Sequence, residues 1–298
     1  MSGLIVLKPF QVTPESMDSS VPEDDYPAYA AGTTYSEDER ALYQHNIYQS
    51  LQAGNTGKTP DTEPLWWVLV GPDNRWRVFD RSHTTQTKAN LSMWYEIAPG
   101  QVVSSVALLN MDGISSAKIK MTDPDYGVVY ERTFEFPRIQ GQASWHSWFF
   151  GKRKVRRDFN TIDIPSFPNA TIRIELNGIA EIAIGVILLG EVFSFGEGVK
   201  RGMRLGIRDY SRKETDQWGE TTLQKRAFSK IRSANILLRN NQLDEVEQFL
   251  TDIRATPVLW IASDRYDAPN VYGWYSSFEI LLQYVNHSEC SIDIEGLS

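Results

Sequence analysis

The 298-residue chain is poor in the residues on which most chemistry rests: it has one cysteine, Cys290, and four histidines. A single thiol excludes an internal disulfide and suits folding in a reducing compartment. His45, His83, His146 and His287 are not spaced as metal-ligand pairs, and neither a G-x-S-x-G nor a phosphate-loop pattern occurs. With no convergent set of catalytic groups, enzymes are the least expected class, and neither a metal nor a cofactor is expected. Carboxylate pairs of the glycosidase kind stay open, because their separation belongs to the fold. Apolar runs are also short. The longest, "IAEIAIGVILLG", is interrupted by Glu181 and Gly185, so no membrane span is expected. The start "MSGLIVLKPF" lacks the three-part pattern of a signal peptide, and none is expected there.

Charge is unevenly placed. The net charge is -8, yet residues 1–72 carry 3 basic and 10 acidic side chains, residues 199–233 carry 10 and 4, and residues 234–298 carry 3 and 10. A short basic segment between acidic ones suits complementary contacts between copies or partners. It suits a nucleic-acid binder poorly, because so little of the chain is basic. The run "GKRKVRRDF", residues 151–159, reads as a solvated loop, or else as a contact for an acidic neighbour or anionic lipopolysaccharide.

The pattern along the chain predicts a mainly β, multidomain protein. Residues 1–25 read as an extended lead-in, acidic and aperiodic from residue 11 onward, and residues 26–72 as a small β module. Within that module Ser36 and Glu39 form a capping-box pattern, but only one short run follows it, and strands are expected instead. Residues 73–197 read as a β-sandwich. "SVALLNM", "AKIKM", "GVVYERTFEF", "ATIRIEL" and "IAIGVILLGEVF" are β-branched or alternating and are separated by turn formers. Residues 198–298 read as an α+β module. Its helix, in "NNQLDEVEQFLTDIRATP", places Leu243, Val246, Phe249, Leu250 and Ile253 on one face, with Asn241 as cap and Pro257 as stop. The strand-like "ANILLRN", "PVLWIAS", "YGWYSSFEILLQYV" and "CSIDIEGL" surround it.

Three tryptophans crowd into "PLWWVLVGPDNRW". They could be packed core, a stacking platform for sugar rings, or a plug where two modules meet. Adjacent Trp66 and Trp67 point to opposite faces of a strand, so one is expected in the core of the small module. Trp76, after a Gly-Pro turn that leaves little linker, is expected at the junction with the sandwich. His146 lies between Trp145 and Trp148 and reads as a packed or surface histidine.

The run "YAAGTTY…LYQHNIYQSLQAGNTGKTPDTEPLWW" resembles the small chitin-binding-like carbohydrate-binding modules (families 5 and 12), with Tyr29, Tyr35, Tyr43, Tyr48, Pro60 and Trp66 or Trp67 in the pattern's places. Tyr29 stands where a tryptophan usually leads, and "EDER" where Gly-Asp is usual. The resemblance implies the module's fold and, as candidate glycan-stacking residues, Tyr35, Tyr48, Trp66 and Trp67, with weak affinity or none. The wider combination, "GNTGKTPDTEPLWWVLVGPDNRWRVFD" followed by a sandwich and then "VKRGMRLGIRDYSRKETDQWGETTLQKRAFSK", resembles tail-tip (baseplate, distal-tail-like) proteins of long-tailed bacteriophages, over most of residues 20–298. The middle also resembles a galactose-binding-like jelly roll.

The resemblance implies a virion structural protein, made in the host bacterial cytoplasm and placed at the tail tip. It would form a ring, six-fold by expectation and three-fold as the alternative. Partners would be tail tube or hub proteins, receptor-binding or tail-fibre proteins, and a host surface glycan. Lys200, Arg201, Arg204, Arg208 and Arg212 are the expected subunit-interface residues, on an extended arm or hairpin, with "GWYSSFEILLQYV" adding apolar contact. A free-standing lectin and an enzyme accessory subunit are the other readings.

Overall fold

The computed structural model describes residues 3–136, 146, 156–200, 202–215, 217–262, 270–282 and 286–297. Most of these residues are in strands, and Leu243–Asp252 is an α-helix. Trp145, Trp148 and residues 151–155 lie outside this set, as does Arg201.

A ten-stranded sheet organises the molecule. Its order is Phe159–Thr161, Ser105–Leu109, Val186–Phe195, Leu4–Pro9, Val258–Ile261, Val271–Leu281, His287–Gly296 and Phe228–Arg239; both Gly198–Val199 and Arg204–Asp209 then pair with the last of these. The sheet therefore runs unbroken across residue 197, where the sequence places a module boundary. Leu4–Pro9, inside the expected lead-in, joins the two halves: it pairs with Val186–Phe195 on one edge and Val258–Ile261 on the other. Strand alternation explains why this short run is so apolar. Leu4 and Val6 enter the core under the helix, while Ile5 and Leu7 enter a separate core on the opposite face with Ala107, Leu109, Val186 and Leu188.

A five-stranded sheet packs over one end of the large sheet and completes a sandwich. Its order is Gly127–Glu135, Asp112–Asp123, Thr171–Ile184, Thr87–Ile97 and Met17–Ser19. The alternation in "ATIRIEL" is realised: Ile172, Ile174 and Leu176 are fully buried against Val106, Leu108, Ile187 and Leu189. On the wet face Arg173 reaches Glu96 at 3.2 Å and Glu175 at 2.8 Å, with its guanidinium 4.1 Å above the Trp94 ring.

"IAIGVILLGEVF" is two strands in two sheets, not one. The chain crosses at Gly185, whose N–H is shared between the carbonyls of Leu109 and Asn110 at 3.1 and 3.2 Å. A Cβ at Gly185 would lie 2.9 Å from the Asn110 Cβ, so the close crossing requires glycine.

The helix, Leu243–Asp252, presents the expected face, burying Val246 and Leu250 while Phe249 stacks on Phe193 at 4.1 Å. Each such buried side chain contributes about 1.5–3 kcal/mol. Asn241 does not cap it. A 3-10 turn, Asn240–Gln242, precedes the helix, and Gln242 takes the cap position without a side-chain hydrogen bond.

The small module is built from Arg40–Tyr43, Asn46–Ser50 and Trp67–Pro72, with Thr34–Tyr35 paired to Asn55–Thr56 beside them. The Ser36–Glu39 pattern makes a turn rather than a helix. The Glu39 carboxylate accepts from the Ser36 N–H at 2.8 Å, but strand Arg40–Tyr43 follows at once.

Candidate functional site

The tryptophan cluster resolves into three environments. Trp67 is 2% exposed and, with Tyr35 and Ala41, forms the module's core. Its indole N–H donates to the Lys58 carbonyl at 2.8 Å, and its ring meets Tyr35 and Tyr29 edge-on at 5.0 and 5.9 Å. The Tyr35 hydroxyl accepts from the Ala30 N–H at 2.8 Å. Both side chains are turned inward and offer no face to a sugar. Trp66, in the turn before the strand, is half-buried at the edge of this cluster, with the Lys58 ammonium 5.7 Å from its ring centre. Tyr48 is also half-buried, edge-on to Tyr43 at 6.4 Å. Burial and the charge of Asp61 both raise the Tyr48 pKa. Of the four candidate stacking residues, only Trp66 and Tyr48 keep accessible ring surface.

Trp76 lies at the junction. Its ring is 4.8 Å from His45 of the small module and 6.0 Å from Phe79, which meets Tyr95 of the sandwich core at 5.6 Å. Its indole N–H donates to Glu23 Oε1 at 3.0 Å, and the same carboxylate takes His45 Nδ1 at 2.9 Å and Arg75 Nη1 at 3.3 Å. Burial pushes the Glu23 pKa up, but the hydrogen bonds from Trp76 and His45 and the charges of His45 and Arg75 prevail and hold it below the ordinary value. Glu23 comes from the aperiodic lead-in, and no local pattern announces that it meets residues 45, 75 and 76.

The basic segment forms a ribbon. Arg204–Asp209 pairs with the Phe228–Arg239 strand, and beyond it Arg212–Thr215 pairs with Thr221–Gln224 as a separate hairpin. Every residue of these three shorter strands is exposed. Several of its cations already have partners within the chain. Lys200 pairs with Glu289, Arg208 with Glu295 at 2.8 Å, and Arg212 with Glu214 at 2.5 Å. Arg204 is exposed on its strand, and Arg201 lies outside the described residues. Apolar side chains share the ribbon: Leu205, Ile207, Trp218 and Leu223 are exposed, Trp218 by 81%. Of the "GWYSSFEILLQYV" run, residues 273–281 pair with the His287–Gly296 strand on one edge, whereas on the other edge only Gly273 pairs with Val258–Ile261; Leu281 and Leu282 are exposed.

A second exposed apolar surface was not anticipated. Val68, Leu69 and Val70 on the Trp67–Pro72 strand, with Leu51 and Leu65 nearby in the chain, are all exposed. The signal available was the run "VLV", whose side chains fill neither face of a core in this three-stranded sheet.

Two clefts adjoin the segment after Trp76. One of about 660 Å³ is lined by His45, Trp76, Phe79, Asp80 and Arg81, the other of about 540 Å³ by His83, Asn110, Arg157, Asp158 and Lys230. Tyr272 borders both; it is 6% exposed, and its hydroxyl has no hydrogen-bond partner. Burial raises its pKa to about 12, and burial lowers that of His83. Among the described residues no three His, Cys, Asp or Glu side chains gather as a metal site, and no helix is long and apolar enough to cross a membrane.

No protein-family model and no curated protein matches the chain.

Proposed function

We propose that this chain is a structural protein that works by assembly, a component of a bacteriophage tail tip joining the tail tube or hub to peripheral receptor-binding parts. The observation that carries the reading is the ribbon whose strands Arg204–Asp209, Arg212–Thr215 and Thr221–Gln224 are exposed at every position and bear apolar and basic side chains on an acidic body. A two-stranded ribbon alone in water is marginal, so one that projects from a folded body is suited to being covered in the working form. Opposite charges on different patches favour head-to-tail contacts, which close into rings without self-pairing. Exposed ion pairs contribute about 0–1 kcal/mol each, so the apolar ribbon residues carry most of the contact. The resemblance to tail-tip proteins supplies the location: the virion tail tip, after synthesis in the host cytoplasm. Reversing Arg204 and Lys213 to glutamate in the virus should yield tails lacking this protein. Normal incorporation would reject the reading.

Glycan binding by the small module is the second reading, favoured by the Trp66 ring under Lys58 beside an acidic, tyrosine-rich surface. With Tyr35 and Trp67 buried, it would rest on Trp66 and Tyr48, and weak affinity is expected. Sub-micromolar glycan binding lost on Trp66→Ala, with the fold intact, would promote this reading above assembly.

A further inference from the structure

We propose that the ribbon of one copy docks along the unpaired edge of the Trp67–Pro72 strand in the small module of the next copy. This inference rests on the assembly reading and names the surface that the ribbon meets.

The edge is the first observation. Trp67–Pro72 pairs with Asn46–Ser50 on one side and with no other strand among the described residues. Its exposed stretch, Val68 to Val70, carries aliphatic side chains on both faces, with Leu69 57% exposed. Edge strands left open to water are normally blunted by charge, proline or a bulge, because a bare apolar edge recruits another strand. Here the only proline is the terminal Pro72, and the register shift falls at Val70, which is skipped between Leu69 and Gly71 at the end of the aliphatic stretch, so Trp67 to Leu69 keep a regular register and an open edge.

The ribbon is the matching half. Among the described residues the hairpin Arg212–Thr215 with Thr221–Gln224 pairs only with itself, so it too has open edges, and Leu223 is 73% exposed. Joining two open edges satisfies main-chain groups on both partners and buries aliphatic side chains from each.

Charge then selects the pairing. Residues 1–72 carry 3 basic and 10 acidic side chains, whereas residues 199–233 carry 10 and 4. Asp61 and Glu63 belong to the loop leading into the Trp67–Pro72 strand, and Lys213, Lys225 and Arg226 to the ribbon. Like-charge repulsion disfavours ribbon on ribbon and module on module. The two patches differ and sit on one chain, so each copy has one donor and one acceptor surface, which is the requirement for a closed ring.

The test uses two full-length variants. Val68→Lys with Val70→Lys blocks the edge, and Lys213→Glu with Leu223→Glu blocks the ribbon. All four positions are exposed, and unchanged thermal unfolding checks the fold. In sedimentation velocity the wild type should associate, while each variant alone should be monomeric. An equal mixture should give a 1:1 dimer that grows no further, because one variant keeps its ribbon and the other keeps its edge. If the ribbon variant is monomeric while the edge variant still assembles, the ribbon meets another surface; this inference fails and the assembly reading stands. If both variants assemble, or the wild type remains monomeric at every concentration reached, both fail.

Discussion

Truncating Trp67 to alanine should open the small module while the rest of the molecule stays folded. The indole is 2% exposed and, among the described residues, shares its core with Tyr35 and Ala41, flanked by Tyr29, Tyr48 and Trp66. Removing a buried tryptophan side chain costs about 3–5 kcal/mol, and losing its 2.8 Å hydrogen bond to the Lys58 carbonyl adds about 1 kcal/mol. At roughly 0.05–0.15 kcal/mol per residue, a module of fewer than fifty residues holds only about 2–7 kcal/mol. The loss, about 4–6 kcal/mol, is most or all of that. The sandwich core shares no residue with this cluster, so it has no direct part in the loss. Hydrogen exchange should therefore collapse in Arg40–Tyr43, Asn46–Ser50 and Trp67–Pro72, and persist in Thr171–Ile184. Trp66→Ala, at a half-buried site, should cost about 1 kcal/mol. Equal effects of the two substitutions, or unchanged exchange in the module of the Trp67 variant, would refute the reasoning.

Three further outcomes follow from other contacts. Tyr272→Phe removes a buried hydroxyl that has no partner and whose desolvation costs about 1–3 kcal/mol, so stability in urea should hold or rise; a loss above about 1 kcal/mol would mean the hydroxyl is satisfied. Deleting residues 1–10 strips a strand paired on both edges and bares the Val186–Phe195 and Val258–Ile261 edges, so the chain should aggregate; a truncated protein with the wild-type unfolding transition would contradict the topology. Glu23, with its pKa held below the ordinary carboxylate value, stabilises the junction fully above about pH 4.3 and loses that contribution as pH falls through its lower folded value. Glu23→Gln should thus lower the melting temperature near neutral pH and converge on the wild type in acid, whereas parallel curves would exclude a role for this charge.

Much of the architecture could be read locally. Alternation in "ATIRIEL" located a strand and its buried face, because side chains repeat every two residues whatever the strand pairs with. The 3.6-residue spacing of Leu243, Val246, Leu250 and Ile253 likewise announced the helix and its inner face. One of the two adjacent tryptophans was expected in the core, and Trp67 is there, while Trp66, in the turn before the strand, is half-buried at the edge of the same cluster. The charge reversal marked residues 199–233 as an unusual segment, and the exposed strands Arg204–Asp209, Arg212–Thr215 and Thr221–Gln224 lie within it.

Other features were decided only in three dimensions. Pairing partners are chosen by sheet closure between distant segments, so nothing in "LIVLKP" declares that it bridges strands near residues 190 and 260. Gly185 is one glycine among many until Asn110 lies against it and the strand changes sheets. Tyr35 matched a sugar-stacking pattern, but packing against Trp67 turned its ring into the core. Composition could not show whether the basic residues face outward or inward either: Lys200 and Arg208 are matched by Glu289 and Glu295 from the closing strand, which the chain reaches some ninety residues later. Local pattern determines which elements form and which face is apolar, because those depend on neighbours a few residues away. Which side chains remain open to a partner depends on what the distant chain covers, and only the folded structure decides that.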